Sequence, residues 1–164
     1  MPTRILFPLI GLAIVGALIG FVFYANRGAH IEIRGEVLKV RTHSAEETSS
    51  VAILDFRFAN PADYPFVVRK IDVTVVGKDG STTEGMVVAD ADAARYLSYF
   101  PALGQKYNDS LVVREKVLPK QLLDKMVMAR FEAPESKLQM RERFRIRVEE
   151  VDGAVSLIEE KPVQ

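Results

Sequence analysis

Four arginines, Arg141, Arg143, Arg145 and Arg147, alternate with Glu142, Phe144, Ile146 and Val148. In an extended strand every second side chain points to the same face, so this spacing predicts a row of four guanidinium groups. Such a row can grip anionic lipid headgroups, a polyanion or an acidic partner. It equally suits a solvated sheet face neutralised by Glu149, Glu150 or acids across the sheet. Tyr96, Tyr99, Phe100 and Tyr107 gather around Pro101 and Leu103. They form either an aromatic recognition patch on a loop or a cover over one end of a core. Met126 and Met128 alternate on the face opposite Val127 and Phe131, where they meet a partner or a second packed layer. Asn108-Asp109-Ser110 fits the glycosylation pattern. Glu84, Asp90 and Asp92 do not have calcium-loop spacing, and Asp90 or Asp92 reads better as a helix cap.

No spacing picks out a catalytic set. There is no Gly-x-Ser-x-Gly, no phosphate-binding glycine loop and no His-rich metal motif. The sequence has no cysteine, which excludes disulfides, thiol catalysis and acylated lipoprotein anchoring. Two histidines, His30 and His43, do not make a zinc site. Lys+Arg 22 balances Asp+Glu 22, unlike the basic excess of a general nucleic-acid binder. These features point to a non-enzyme with no cofactor, no metal and no nucleic-acid partner.

The elements that would position these residues are short and extended. Residues 31–42 read as a strand whose phase changes around Gly35-Glu36, where a bulge or a crossing between sheets is expected. In 51–59, Ala52, Leu54, Phe56 and Phe58 point one way and Asp55 and Arg57 the other. A breaker-rich turn over 60–65 leads into 66–76, with Val67, Ile71, Val73 and Val75 inward. A hairpin turn at Lys78-Asp79-Gly80 returns over 82–88. Residues 90–100 carry helical spacing, ended by Pro101. Strands follow at 111–118, 125–131, 143–151 and 154–158, the last two across Asp152-Gly153. About eight short strands with regular turns indicate an antiparallel, immunoglobulin- or fibronectin-like β-sandwich with one short helical insert.

Ahead of this lies the uncharged run 5–24, about 30 Å long as a helix and matched to the hydrocarbon core of a bilayer. It ends in aromatic residues and a polar stop, as an uncleaved signal-anchor does, whereas a cleaved signal peptide has a shorter apolar region. The chain therefore divides into a tail (1–4), a single transmembrane helix (5–24), a linker (25–30), a β domain (31–159) and a C-terminal tail (160–164). Ala13, Gly16, Ala17 and Gly20 share a helical spacing that allows close contact with another helix, including a second copy. The positive-inside rule applied literally keeps the β domain in the cytoplasm, but the minimal N-terminal tail favours an extracytoplasmic one.

The strand 51–58, Asn60-Pro61 and the run Pro65-Phe66-Val67-Val68-Arg69-Lys70-Ile71-Asp72-Val73-Thr74-Val75 together resemble the late-embryogenesis-abundant type 2 group, the water-stress and hypersensitive-response domain. That resemblance implies an immunoglobulin-like sandwich, often membrane-tethered, without enzymatic activity. The expectation is a membrane-anchored protein-binding or structural module whose partner is another membrane or envelope protein. The alternatives are an accessory subunit of a membrane complex, recruited mainly through its helix, and a surface-acting hydrolase.

Overall fold

The computed structural model describes residues 11–21 and 33–162. The first unit is helical over 11–21 (α1), and every side chain in it is exposed. Eleven residues of helix span about 16 Å, half of a hydrocarbon core. Among the described residues, no helix is long and apolar enough to cross a membrane. Both ends of the expected span, residues 5–10 and 22–24, and the linker 25–30 lie outside the described residues.

The second unit is predominantly antiparallel β-structure. Its elements are β1 (Arg34–Glu46), β2 (Ser49–Ala59), β3 (Phe66–Gly77), β4 (Thr82–Val87), α2 (Asp90–Tyr99), a 3-10 turn (Pro101–Leu103), β5 (Lys116–Val117), β6 (Leu122–Phe131), α3 (Glu135–Gln139), β7 (Arg141–Glu150) and β8 (Val155–Glu159). The strands run in the order β1-β2-β6-β4-β3-β7-β8, with β5 paired to the start of β3. Strand β4 belongs to both halves: Thr82–Gly85 pair with β3, and Met86 and Val87 pair with β6. The sheet folds over at this strand, and its two halves face each other. Phe56, Phe58, Val127 and Phe131 come from one half; Val73, Val75, Phe144 and Ile146 come from the other, all buried in a single cluster. At the far side β1 and β8 meet, where the Ile33 N–H donates to Ser156 Oγ at 2.8 Å.

The fold at β4 needs a residue without a side chain. A Cβ on Gly85 would lie 2.6 Å from the Phe131 ring, well inside van der Waals contact. Gly35 has a comparable role: a Cβ there would meet the Arg57 carbonyl oxygen at 2.6 Å.

Close approach at Gly35 also corrects the expected site of the phase change in β1. The register slips between Val37 and Lys39, so Leu38 is the extra, exposed residue, while Val37 and Val40 both pack on the core. A second slip falls between Val68 and Lys70 in β3. Phe66 and Val68 therefore point inward, and Val67, expected inward, is only half-buried. The expected strand over 111–118 shrinks to Lys116–Val117, because its other backbone groups bond at irregular intervals to Val68 and Met126. The short helix α3 replaces an expected break at Ala133-Pro134-Glu135-Ser136; Pro134 occupies its N-cap.

Candidate functional site

Strand β2 is buried on both faces. One face lines the main core. Over the other lies a strap, residues 89–110, made of α2, the 3-10 turn and a return segment. Val51, Ile53, Met126 and Met128 of the sheet and Ala93 and Leu97 of α2 form a second buried cluster beneath it. Met126 and Met128 are therefore internal packing residues.

The strap is held by a polar clamp. Arg41 and Asp55, cross-strand neighbours pointing outward from β1 and β2, form an ion pair at 2.8 Å with both side chains almost fully buried. The other Arg41 terminal nitrogen donates to the carbonyls of Leu103 and Gln105, each at 3.0 Å. Asn108 closes the set by donating to the remaining Asp55 oxygen at 3.0 Å. That use of its amide ties Asn108, expected as a possible glycan acceptor, into the clamp. Burying such a pair is tolerable because these added hydrogen bonds satisfy the Asp55 carboxylate and both terminal nitrogens of Arg41, although the buried Arg41 Nε has no partner among the described residues.

On either side of the clamp the same outward row of β1 continues. Lys39 lies over the Tyr107 ring at 4.9 Å, and the Arg41 guanidinium lies over that ring at 5.1 Å. His43 Nδ1 shares a hydrogen bond of 2.7 Å with the Tyr96 hydroxyl, and its ring lies 4.5 Å from that of Phe100. Burial raises the Tyr96 hydroxyl above its ordinary pKa. The expected aromatic patch is thus split: Tyr96 and Phe100 pack together at 4.7 Å around His43, Tyr107 covers the two cations, and Tyr99 is exposed.

Asp90 does not cap α2. The N-cap is Ala89, and the Asp90 carboxylate instead pairs with Lys106 across the strap. Lys106 and Ser110 hold Asp90 below the usual carboxylate range. Both acids, Asp90 and Asp92, still sit in the first turn, where negative charge complements the helix dipole. Between α2 and the return segment is an open cavity of about 440 Å³, bordered by Ala94, Leu97, Ser98, Pro101, Gly104 and Lys106. Among the described residues, no group of three His, Asp or Glu is arranged to hold a metal ion.

Arg143, Arg145 and Arg147 alternate with buried residues along β7, whereas Arg141 lies beyond a register slip with its guanidinium 4.7 Å over the Phe144 ring; each of the four meets a carboxylate. Arg141 takes both oxygens of Glu160, at 2.6 and 2.7 Å. Arg143 contacts Glu142, and Arg143 and Arg145 share Glu159. Arg147 bonds Asp72 and Glu149 at 3.1 and 3.0 Å. Arg145, then Arg143, holds Glu159 below its ordinary pKa, and Asp72, with Glu149, raises Arg147. The row is a charge-paired ladder across β3, β7 and β8.

Of the small residues on α1, nothing lies within 4 Å of a Cβ built on Gly16 or Gly20. Ala13 and Ala17 are exposed on the same helix.

Arg41, Asp55 and His43 were not singled out by motif, and Asn108 only as a glycan acceptor. The signal for Asp55 lies in the unbroken apolar run of 51–54, which marks a strand covered on both faces, so an acid placed between that run and Phe56 must be buried and paired.

No protein-family model matches the chain, and no curated protein matches it. Among solved structures it is similar to an uncharacterized beta-sandwich protein from Clostridium difficile 630, with a TM-score of 0.33 and 12% identity over 79% of this chain and 80% of that one.

Proposed function

We propose that this chain is a non-catalytic, single-pass, membrane-anchored β-sandwich of immunoglobulin-like build, acting as a protein-binding or structural module with its β domain outside the cytoplasm. The observation that carries this reading is the uncharged run 5–24. Its described part is helical and exposes Leu12, Ile14, Val15, Leu18, Ile19 and Phe21, all more than half accessible. An all-apolar helix surface is costly in water and favourable in lipid. The non-catalytic reading is supported by where the buried charges go: Asp55 is clamped by Arg41 and Asn108, which leaves it no freedom to act on a substrate.

The second reading, an accessory subunit recruited through its helix, draws on the open surfaces of Gly16 and Gly20. Close backbone approach at such positions favours helix pairing in lipid.

The test uses the absence of native cysteine. The full chain carrying Ser81→Cys is expressed in cells and treated with a membrane-impermeant thiol reagent. The expected result is labelling without lysis, retention in the membrane pellet after alkaline carbonate, and an intact N-terminus by mass spectrometry. Release by carbonate, or loss of the first residues, overturns the anchor. Labelling only after lysis reverses the topology.

A further inference from the structure

The two ends of the β domain have different chemistry. At one end the chain enters at Ile33 beside the turns 60–65, 118–121 and 151–154. Their tips and flanks expose Tyr64 (42%), Leu118 (52%), Leu122 (60%) and Val151 (56%). Arg34 and Lys116 are exposed beside them, while Lys120 pairs with the exposed Asp63 at 3.1 Å and Asp152 is exposed in the last turn. The opposite end, built from turns 46–49, 77–82 and 131–140, carries Glu46, Glu47, Asp79, Glu132 and Glu135 against Lys78 and Lys137, with Met140 exposed among them.

The apolar end is rigid. Asn60 is fully buried and its amide donates to the carbonyls of Tyr64, Val117 and Leu118 at 2.9, 3.3 and 3.2 Å. Its own N–H donates to Gln121 at 3.0 Å, and its side-chain oxygen accepts from Ala62 at 3.0 Å. One side chain thus locks two neighbouring turns. Exposed apolar residues on a preordered frame can be buried against a partner without the entropy cost of ordering a loop. The entry point is fixed too, since Ile33 is buried and bonded to Ser156. Only residues 22–32 separate it from the described part of the apolar helix, a reach of at most about 40 Å.

We propose that this loop end docks on the bilayer surface, with Tyr64, Leu118, Leu122 and Val151 in the headgroup region and Arg34 and Lys116 toward anionic lipid. Tyrosine favours that depth, and cations are drawn to anionic headgroups. The proposal rests on the membrane-anchor reading above. It makes the membrane a ligand of the β domain as well as the solvent of the helix, and it points the acidic end away from the lipid.

The experiment uses the full chain in vesicles of phosphatidylcholine with a minority of phosphatidylglycerol. An environment-sensitive fluorophore is placed on Leu118→Cys, on Val151→Cys and, as control, on Ser81→Cys. Emission and quenching by nitroxide lipids are then read. The expected result is a blue shift and severalfold stronger quenching at the first two positions than at the control. Equal behaviour at all three, in chains that float with the vesicles, overturns docking and leaves the anchor standing. Self-quenching between chains at Leu118→Cys without lipid quenching overturns it in favour of a second copy. Failure to float overturns both readings.

Discussion

Glu150 continues the inward row of Phe144, Ile146 and Val148, so β7 ends by pointing a carboxyl group into the core. Burial, with Asp152 nearby, pushes its pKa above the ordinary value. The folded state therefore holds a proton more tightly than the unfolded one. Its contribution to stability is complete below the unfolded pKa, about 4.3, and is lost as pH rises through the higher folded value. Glu150→Gln keeps the shape and removes the ionisation. Its unfolding midpoint in urea should exceed that of the wild type at neutral pH, and the gap should close as pH falls toward about 4. A constant gap across that window would assign the effect to packing instead. Residues such as this were hard to read in the sequence: Glu150 looked like a surface partner for the arginines, and its inward direction follows only once the alternation through Phe144 is fixed.

At the scale of elements, the strap and the charged ladder make opposite uses of arginine. Arg41 is buried and binds a loop to a sheet; the β7 arginines are partly exposed and satisfy their neighbours. Asp55→Ala leaves Arg41 buried without its counter-charge, a change that costs about 3–5 kcal/mol. The measurable result should be a lower urea midpoint together with faster amide exchange over residues 101–110, ahead of the core strands. Uniformly faster exchange would mean that the strap and sheet open as one. For the ladder, two acids neutralise three arginines, Glu159 serving Arg143 and Arg145 and Glu160 serving Arg141. Glu159→Gln with Glu160→Gln should turn weak heparin retention into clearly salt-dependent retention, because Arg141 and Arg145 then lose their carboxylates while only Glu142, Asp72 and Glu149 still oppose the row. Unchanged retention would show that Glu142, Asp72 and Glu149 suffice to quench it. The strap itself was half legible. Helical spacing in 90–100 announced α2, but nothing local could show that the insert lies on β2, since that docking depends on partners far along the chain.

For the whole molecule, periodicity delivered most of the strands and the antiparallel architecture, because alternation such as that of 143–148 follows directly from a pleated strand with one apolar face. It failed where a single residue slips the phase, at Leu38 and Arg69, since a bulge resets the alternation without any special residue type. It gave β4 as the return strand of the β3 hairpin but was silent on its second partner, β6. The strand's six residues split between two neighbours at Gly85 and Met86, a choice dictated by the bulk of Phe131 on another strand.

That shared strand, with β1 and β8 meeting at the other side, bears on crowding. Copies confined to a membrane plane meet each other far more often than copies in solution, and exposed strand edges then invite chain-to-chain pairing. Here the sheet turns a continuous wall to its neighbours on one side, and on the other its two terminal strands lie in contact, joined by the Ile33 N–H to Ser156 Oγ bond rather than by a backbone ladder. Under the membrane-anchor proposal, lateral contacts between copies would therefore fall to side chains rather than to strand exchange.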